Sequence, residues 1–150
     1  TIDQPGISER FASDSTLLPN AVEEILRLET PSKVMWRIVT EDTSLGGFPL
    51  KKGDVLLLSY DSANHDERQF EDPDACAFAR KNAGDHLSFG RGIHFCVGAT
   101  LARSEMAIAL ECLATRLKNV HLTPGKNDLQ HLNSMMHRGY QQLHLSFDPR

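Results

Sequence analysis

The chain has 150 residues, of which 40% are hydrophobic and 24% are charged, which is enough apolar material for one globular core. The formal net charge is -4 and the 16 basic residues are scattered, so neither nucleic acid nor an anionic membrane is expected as a partner. No apolar run approaches the ~20 residues of a membrane-spanning helix, and no basic-then-apolar leader opens the chain, so we expect a soluble protein.

The first predicted elements are a weakly ordered segment and a short helix. Residues 1–19 are rich in Ser, Asp and Pro and show little periodicity. From about Asn20, a plausible N-cap, Val22, Ile25 and Leu26 follow helical spacing, and Pro31 comes just beyond the end. The pattern predicts one helix over about 20–28.

A small antiparallel sheet is predicted next. Residues 34–39 and 55–60 are apolar runs typical of strands, and Gly46-Gly47 marks a turn between them. Residues 62–86 carry many turn-forming residues with only Phe70 and Phe78 as apolar anchors, which predicts an ordered, functional meander.

The last elements are a long helix and a terminal strand. Residues 97–118 are dominated by helix formers, and apolar side chains cover much of the circumference, so this helix is expected to be mostly buried. Leu143, Leu145 and Phe147 alternate with polar residues, as in a strand. The fold class predicted is mainly α with small β-sheets (α+β).

The three cysteines are odd in number and lack CxxC spacing, which argues against a disulfide framework or a zinc knuckle and favours the reducing cytoplasm. Cys76 and Cys112 are interpreted as packing residues. Cys96 differs, because it stands in the glycine-spaced run FGRGIHFCVG directly before the long helix.

The run around Cys96 predicts a thiolate held at a helix N-terminus. Gly90 and Gly92 allow backbone conformations closed to other residues, and Gly98 permits close packing at the helix start. Unpaired N–H groups and the positive helix end stabilise a thiolate. Arg91 and His94 flank the sulfur and could bind anionic groups, so a metal cofactor bearing carboxylates fits this segment.

These residues resemble the Phe-x-x-Gly-x-x-x-Cys-x-Gly haem-binding loop of cytochromes P-450 in its bacterial form. Other segments follow in the order that the family uses. Glu24 and Arg27 in AVEEILR resemble the Glu-x-x-Arg pair of helix K, and Arg37 in WRIVTED resembles the arginine that reaches a haem propionate. The resemblance covers almost the whole chain. It implies the C-terminal part of that fold, from just before helix K through the meander, the cysteine loop, helix L and the terminal β hairpin.

The resemblance implies that Cys96 is the axial thiolate of haem b, which would favour O–O cleavage at the iron. Phe89 would pack near the sulfur, and Gly98 would belong to the same cofactor-binding loop. Arg37 and His94 would bind the propionates, and Arg91 is a further candidate for that role. The implied activity is a haem-thiolate monooxygenase that inserts one oxygen atom from O2 into a small organic substrate. Its electrons would come from a ferredoxin-like or flavodoxin-like donor.

Two departures from the family pattern stand out. The meander lacks the arginine expected near Ala75 or Cys76 that joins the Glu-x-x-Arg pair, and Arg80 is a candidate substitute. No segment resembles the distal helix that delivers protons to bound oxygen. We therefore expect residues 1–150 to be a partial domain, the proximal haem side. The alternative function is a non-catalytic, truncated remnant that binds haem weakly or not at all.

Simpler interpretations of the same residues stay open. Glu24 and Arg27 also fit a solvated helix pair, and Arg37 fits a strand-edge arginine beside Trp36. A His/Cys zinc site would use Cys96 and His94 with a further ligand, either His86 or Cys112. The histidines other than His94 read as ordinary surface or loop residues, and Met135-Met136 fit adaptable core as well as substrate contact.

Overall fold

The computed structural model describes residues 6–150, in which α-helices alternate with small antiparallel sheets. The helices are α1 Ile7–Ser13, α2 Leu18–Leu28, α3 Tyr60–Asn64 and α4 Ala99–Arg116. The strands are β1 Val34–Ile38, β2 Thr43–Leu45, β3 Phe48–Leu50, β4 Val55–Ser59, β5 Leu117–Leu122 and β6 Leu145–Pro149. Helices with small sheets are what the sequence predicted.

The N-terminal segment is helical, so the expectation of a weakly ordered stretch over residues 1–19 is wrong where the structure describes it. Ile7 and Phe11 stand four positions apart on α1, and both are buried in a core with Leu18 and Ala114. The Phe11 ring also meets the Phe78 ring edge-on, with centroids 5.5 Å apart. This order comes from partners distant in the chain, which local composition does not reveal. Residues 1–5 lie outside the described part.

Helix α2 begins at Leu18, with Pro19 in its first turn, and the prediction of Asn20 as N-cap is wrong. The Asn20 side chain instead donates to the carbonyls of Phe78 and Arg80, at 2.6 and 3.1 Å. Proline suits the first turn of a helix because its missing N–H has no intrahelical partner there. Asn20 therefore ties α2 to the meander rather than closing the helix end.

The predicted antiparallel sheet is confirmed. β1 pairs with β4, placing Arg37 opposite Leu56. Between them, β2 and β3 form a hairpin. Its turn is Gly46-Gly47, and both residues adopt positive φ, the conformation that glycine permits most readily.

Helix α4 is largely exposed, contrary to the expectation of a mostly buried helix over 97–118. Only Ala99 and Ala114 are buried along its described length, whereas Leu101 and Ile108 are well exposed. Apolar residues around most of the circumference need cover on several sides, and α1 and α2 are the helices that pack on it within residues 6–150. The helix also ends at Arg116, and Lys118 belongs to β5. No helix in the described part of the chain is long and apolar enough to cross a membrane.

The C-terminal strand pairs with a strand that the sequence patterns did not predict. β6 runs antiparallel to β5, which follows α4 directly, with an irregularity in register between Lys118 and His121. The strand begins at Leu145, two residues later than the alternating pattern suggested. The connection between the two strands includes an isolated bridge between His131 and Tyr140, whose rings stack with centroids 4.6 Å apart.

Candidate functional site

The cysteine loop is a closed turn that leads into α4. The backbone N–H of Cys96 donates to the carbonyl of Phe89 at 2.9 Å, and the N–H of Phe95 donates to the Gly92 carbonyl at 3.0 Å. Gly90 and Gly92 adopt φ of 70° and 76°, which strongly favours glycine. A Cβ at Gly90 would also lie 3.4 Å from the Tyr60 hydroxyl oxygen. The glycines thus permit the chain reversal that brings Cys96 beside Phe89.

Cys96 is exposed and stands three positions before the first residue of α4. Its carbonyl accepts from the N–H of Ala99 at 3.2 Å. The first turn of α4 contains no acidic residue, and no side chain caps it, so the positive end of the helix is not neutralised there. A Cβ at Gly98 would lie 3.9 Å from Sγ, so this glycine lies next to the sulfur without covering it. The sulfur of Cys96 is thus accessible, close to a helix end whose positive charge no acidic side chain offsets.

Apolar side chains beside the thiol are exposed as well. Ile93 and Val97 are almost fully accessible, and Phe95 is half exposed. Three such residues in one short loop are unusual for a polar surface and suit the face of a flat, apolar ligand. None of the three was predicted as a site residue, although their position between glycines and a cysteine was a usable signal.

Three basic side chains expected at the site carry no acidic partner within residues 6–150. Arg37 is half-buried on β1, and its Nη1 donates to the carbonyl of Trp36 at 2.8 Å. Arg91 and His94 are exposed in the cysteine loop. Each can therefore still bind an anion. The accessible thiol, its apolar neighbours and these basic side chains are the groups that suit a haem, which joins iron, an apolar ring and two carboxylates.

Glu24 and Arg27 form a buried ion pair, not a solvated one. Both side chains are fully buried, and Arg27 Nε and Nη2 donate to the two carboxylate oxygens at 2.8 and 2.9 Å. Arg27 also donates to the carbonyls of Asn64, Pro73 and Ala75. Its Cζ lies 5.0 Å from the centroid of the buried Phe70 ring. This arginine holds the meander against α2.

Arg80 contacts the same carboxylate, so it takes the place of the meander arginine that was expected near Ala75 or Cys76. Its Nε lies 3.0 and 3.1 Å from the two oxygens of Glu24, and the N–H of Ala77 donates to the same carboxylate at 2.9 Å. Burial alone would raise the pKa of Glu24. The hydrogen bonds from Arg27, Ala77 and Arg80 outweigh it, so the pKa of Glu24 lies below its ordinary value.

Asn64 connects the end of α2 to the start of the cysteine loop. Its Nδ2 donates to the hydroxyls of Thr30 and Ser88 at 2.7 and 2.9 Å, and its Oδ1 accepts from the N–H of Leu87 at 2.7 Å. The Ser88 hydroxyl in turn donates to the Leu26 carbonyl at 2.6 Å. Asn64, Thr30 and Ser88 are all buried. The residues just before Phe89 are thus fixed from two sides.

His86 lies in a loop, one of the two predicted alternatives, but it is buried there and not at the surface. Its Nδ1 accepts from the N–H of Ser88 at 3.1 Å, and its Nε2 lies 3.2 Å from a carboxylate oxygen of Glu23. Burial lowers the pKa of His86, so the ring is neutral near neutral pH. The described residues contain no group of three His, Cys, Asp or Glu side chains that could hold a metal ion, which argues against the zinc alternative. The other two cysteines, Cys76 and Cys112, are half-buried.

Comparison with known proteins places these features in a family. The family model for cytochrome P-450 matches residues 4–143. The chain is 38% identical over 135 residues to 6-deoxyerythronolide B hydroxylase of Saccharopolyspora erythraea, covering 90% of this chain and 33% of the hydroxylase.

Solved structures show the same relationship. Substrate-free CYP150A6 of Mycobacterium marinum matches 98% of this chain and 38% of its own, with TM-score 0.94 and 32% identity. CYP109E1 of Bacillus megaterium in complex with corticosterone matches 96% of this chain and 38% of its own, with TM-score 0.90 and 37% identity. The chain spans about a third of the length of the curated relatives it matches.

Proposed function

The chain belongs to the cytochrome P-450 family, and we propose that it forms the proximal, cysteine-bearing side of a haem-thiolate monooxygenase. The observation that carries this proposal is the accessible thiol of Cys96 at the start of α4, where no acidic side chain offsets the positive helix end. Cys96 would be the axial ligand of haem b. Phe89 would lie near the sulfur, because its carbonyl accepts the N–H of Cys96.

The propionates would be bound by the basic side chains that have no acidic partner in the described part of the chain. Arg37 would reach one of them from β1, and His94 and Arg91 would approach from the cysteine loop. Charge-assisted hydrogen bonds of this kind orient a cofactor as well as bind it. Ile93 and Val97 would pack against apolar parts of the macrocycle and exclude water from the sulfur. Gly98 would leave that sulfur uncovered.

The haem, when bound, would supply the activation of O2 and the insertion of one oxygen atom into a small organic substrate. The residues of this chain would hold the thiolate and keep its orientation fixed through the backbone of the cysteine loop. We further propose a ferredoxin-like or flavodoxin-like electron donor and a location in the cytoplasm. The hydroxylase named above supports the reaction class.

The test is the absorption spectrum of the carbon monoxide complex. The protein in its full natural length is loaded with haem, reduced and exposed to carbon monoxide. The proposal predicts the red-shifted Soret band of a thiolate-ligated haem, and its loss in Cys96→Ser. Cys112→Ser is the matched control and should keep the band. A wild-type spectrum without that band contradicts the proposal.

A further inference from the structure

Arg103, on α4, lies over the ring of Phe89 in the cysteine loop and pairs with Glu23 on α2. Arg103 Nε and Nη2 donate to the two carboxylate oxygens of Glu23 at 2.6 and 2.9 Å. The Cζ of the same guanidinium lies 4.6 Å from the centroid of the Phe89 ring. Both side chains of the pair are partly buried. Two hydrogen bonds to one carboxylate fix the guanidinium over the ring more firmly than a single ion contact would.

Phe89 links this pair to Cys96. Its carbonyl accepts the N–H of Cys96, so a shift of Phe89 would move the backbone at the sulfur-bearing residue. Its ring also lies beside those of His86 and Phe95, with centroids 5.9 and 6.3 Å away. The guanidinium of Arg103 therefore acts on a residue that directly holds the cysteine loop.

The charges of this cluster are one carboxylate and one guanidinium. Burial alone would raise the pKa of Glu23, but the hydrogen bond and charge of Arg103, together with the contact from His86, keep this pKa below its ordinary value, so Glu23 is ionised at neutral pH. His86 faces the same carboxylate but is neutral there, because burial lowers its pKa. Removing Arg103 leaves the Glu23 carboxylate facing only the neutral His86, and removing Glu23 leaves Arg103 as an unpaired cation over the Phe89 ring.

We propose that Arg103 and Glu23 are positioning residues for the cysteine loop and that their balanced charges set the reduction potential of the iron that Cys96 would hold. This inference rests on the proposed function. Reduction adds a negative charge at the iron, which a nearby unpaired cation favours and a nearby unpaired anion opposes. A purely structural role would not distinguish the sign of the charge left behind.

The test is the reduction potential of the haem-loaded protein in its full natural length, measured by spectroelectrochemical titration at neutral pH. Arg103→Gln should shift the potential downward, because Glu23 is left unpaired. Glu23→Gln should shift it upward, because Arg103 is left unpaired. Arg103→Lys keeps the charge and should restore a value close to wild type. Lys51→Gln is the charge-matched control: Lys51 pairs with Asp42 on an exposed hairpin, and the potential should not change.

Shifts of opposite sign in Arg103→Gln and Glu23→Gln support the inference. Shifts of the same sign, or no shift, overturn it. If Arg103→Gln fails to retain haem, the other two variants decide. The inference is supported if the potential rises in Glu23→Gln and stays unchanged in Arg103→Lys. Any other pair of results overturns it. A wild-type carbon monoxide spectrum without the thiolate band overturns the proposed function and this inference together. If the wild-type spectrum shows the thiolate band but the potentials of Arg103→Gln and Glu23→Gln do not shift in opposite directions, only the inference is overturned.

Discussion

Arg80 Nε lies 3.0 Å from Glu24 Oε1, although the two residues are 56 positions apart in the chain. The same carboxylate is paired with Arg27, so one buried glutamate on α2 holds two arginines. Arg80 also donates to the carbonyls of Glu71, Asp72 and Ala75. Glu24 thereby determines how the meander packs on α2, and the meander leads directly to the cysteine loop.

Arg27→Ala should destabilise the protein strongly. The substitution leaves the buried Glu24 with less compensation and frees the carbonyls of Asn64 and Pro73, so the free energy of unfolding should fall by about 3–5 kcal/mol. Urea denaturation followed by circular dichroism measures this change. Lys51→Ala removes an exposed pair and should leave unfolding close to wild type. Equal free energies of unfolding for the two variants would show that the buried network stabilises the protein no more than the exposed pair does.

Stability should fall in acid because of Glu24. Its pKa in the folded protein lies below the ordinary value of 4.5, since the hydrogen bonds from Arg27, Ala77 and Arg80 outweigh burial. The unfolded chain therefore takes up this proton first as the pH falls. The stabilisation is fully present above about 4.5 and is lost as the pH drops through the lower, folded-state pKa.

Urea unfolding at a series of pH values from neutral into acid measures this dependence. The wild-type free energy of unfolding should decline with acid, and Glu24→Gln should show a lower value at neutral pH with a shallower decline. Parallel curves for the two proteins would mean that Glu24 does not carry the acid sensitivity.

Asn64→Ala should loosen the entrance to the cysteine loop. It leaves the N–H of Leu87 without its acceptor and the hydroxyls of Thr30 and Ser88 without their donor. Each buried polar group left without a hydrogen bond costs about 1–3 kcal/mol, so the free energy of unfolding should fall by about that amount or more. Amide hydrogen exchange should also speed up at Leu87. Unchanged exchange there would contradict this account of the loop anchor.

Arg37→Gln should weaken haem binding without unfolding the protein. Arg37 donates only to the Trp36 carbonyl among the contacts of the described chain, so its removal breaks no internal ion pair. Loss of one charge-assisted hydrogen bond to a propionate should raise the haem dissociation constant by about tenfold or more. Haem transfer to an apo-acceptor protein measures the change. Arg68→Gln, in an exposed pair with Asp66, is the control, and an equal effect in both would contradict the role of Arg37.

Local sequence patterns predicted much of the fold and of the candidate site. The cysteine loop could be predicted because its glycines and Cys96 lie close together in the sequence. β1 and β4 could be predicted from their apolar runs. Contacts between distant segments are not. The burial of Ile7 and Phe11 depends on α4, and the burial of His86 depends on Glu23 and Ser88. Likewise, the exposure of α4 depends on what packs against it, which its own apolar residues do not specify.

The most direct test of the central claim is X-ray absorption at the iron edge of the haem-loaded protein in its full natural length. A single sulfur scatterer at the iron is predicted for wild type, and it should persist in Cys76→Ser and Cys112→Ser but disappear in Cys96→Ser. Iron coordinated only by nitrogen or oxygen in wild type, or sulfur coordination that survives Cys96→Ser, would contradict the assignment of Cys96 as the axial ligand.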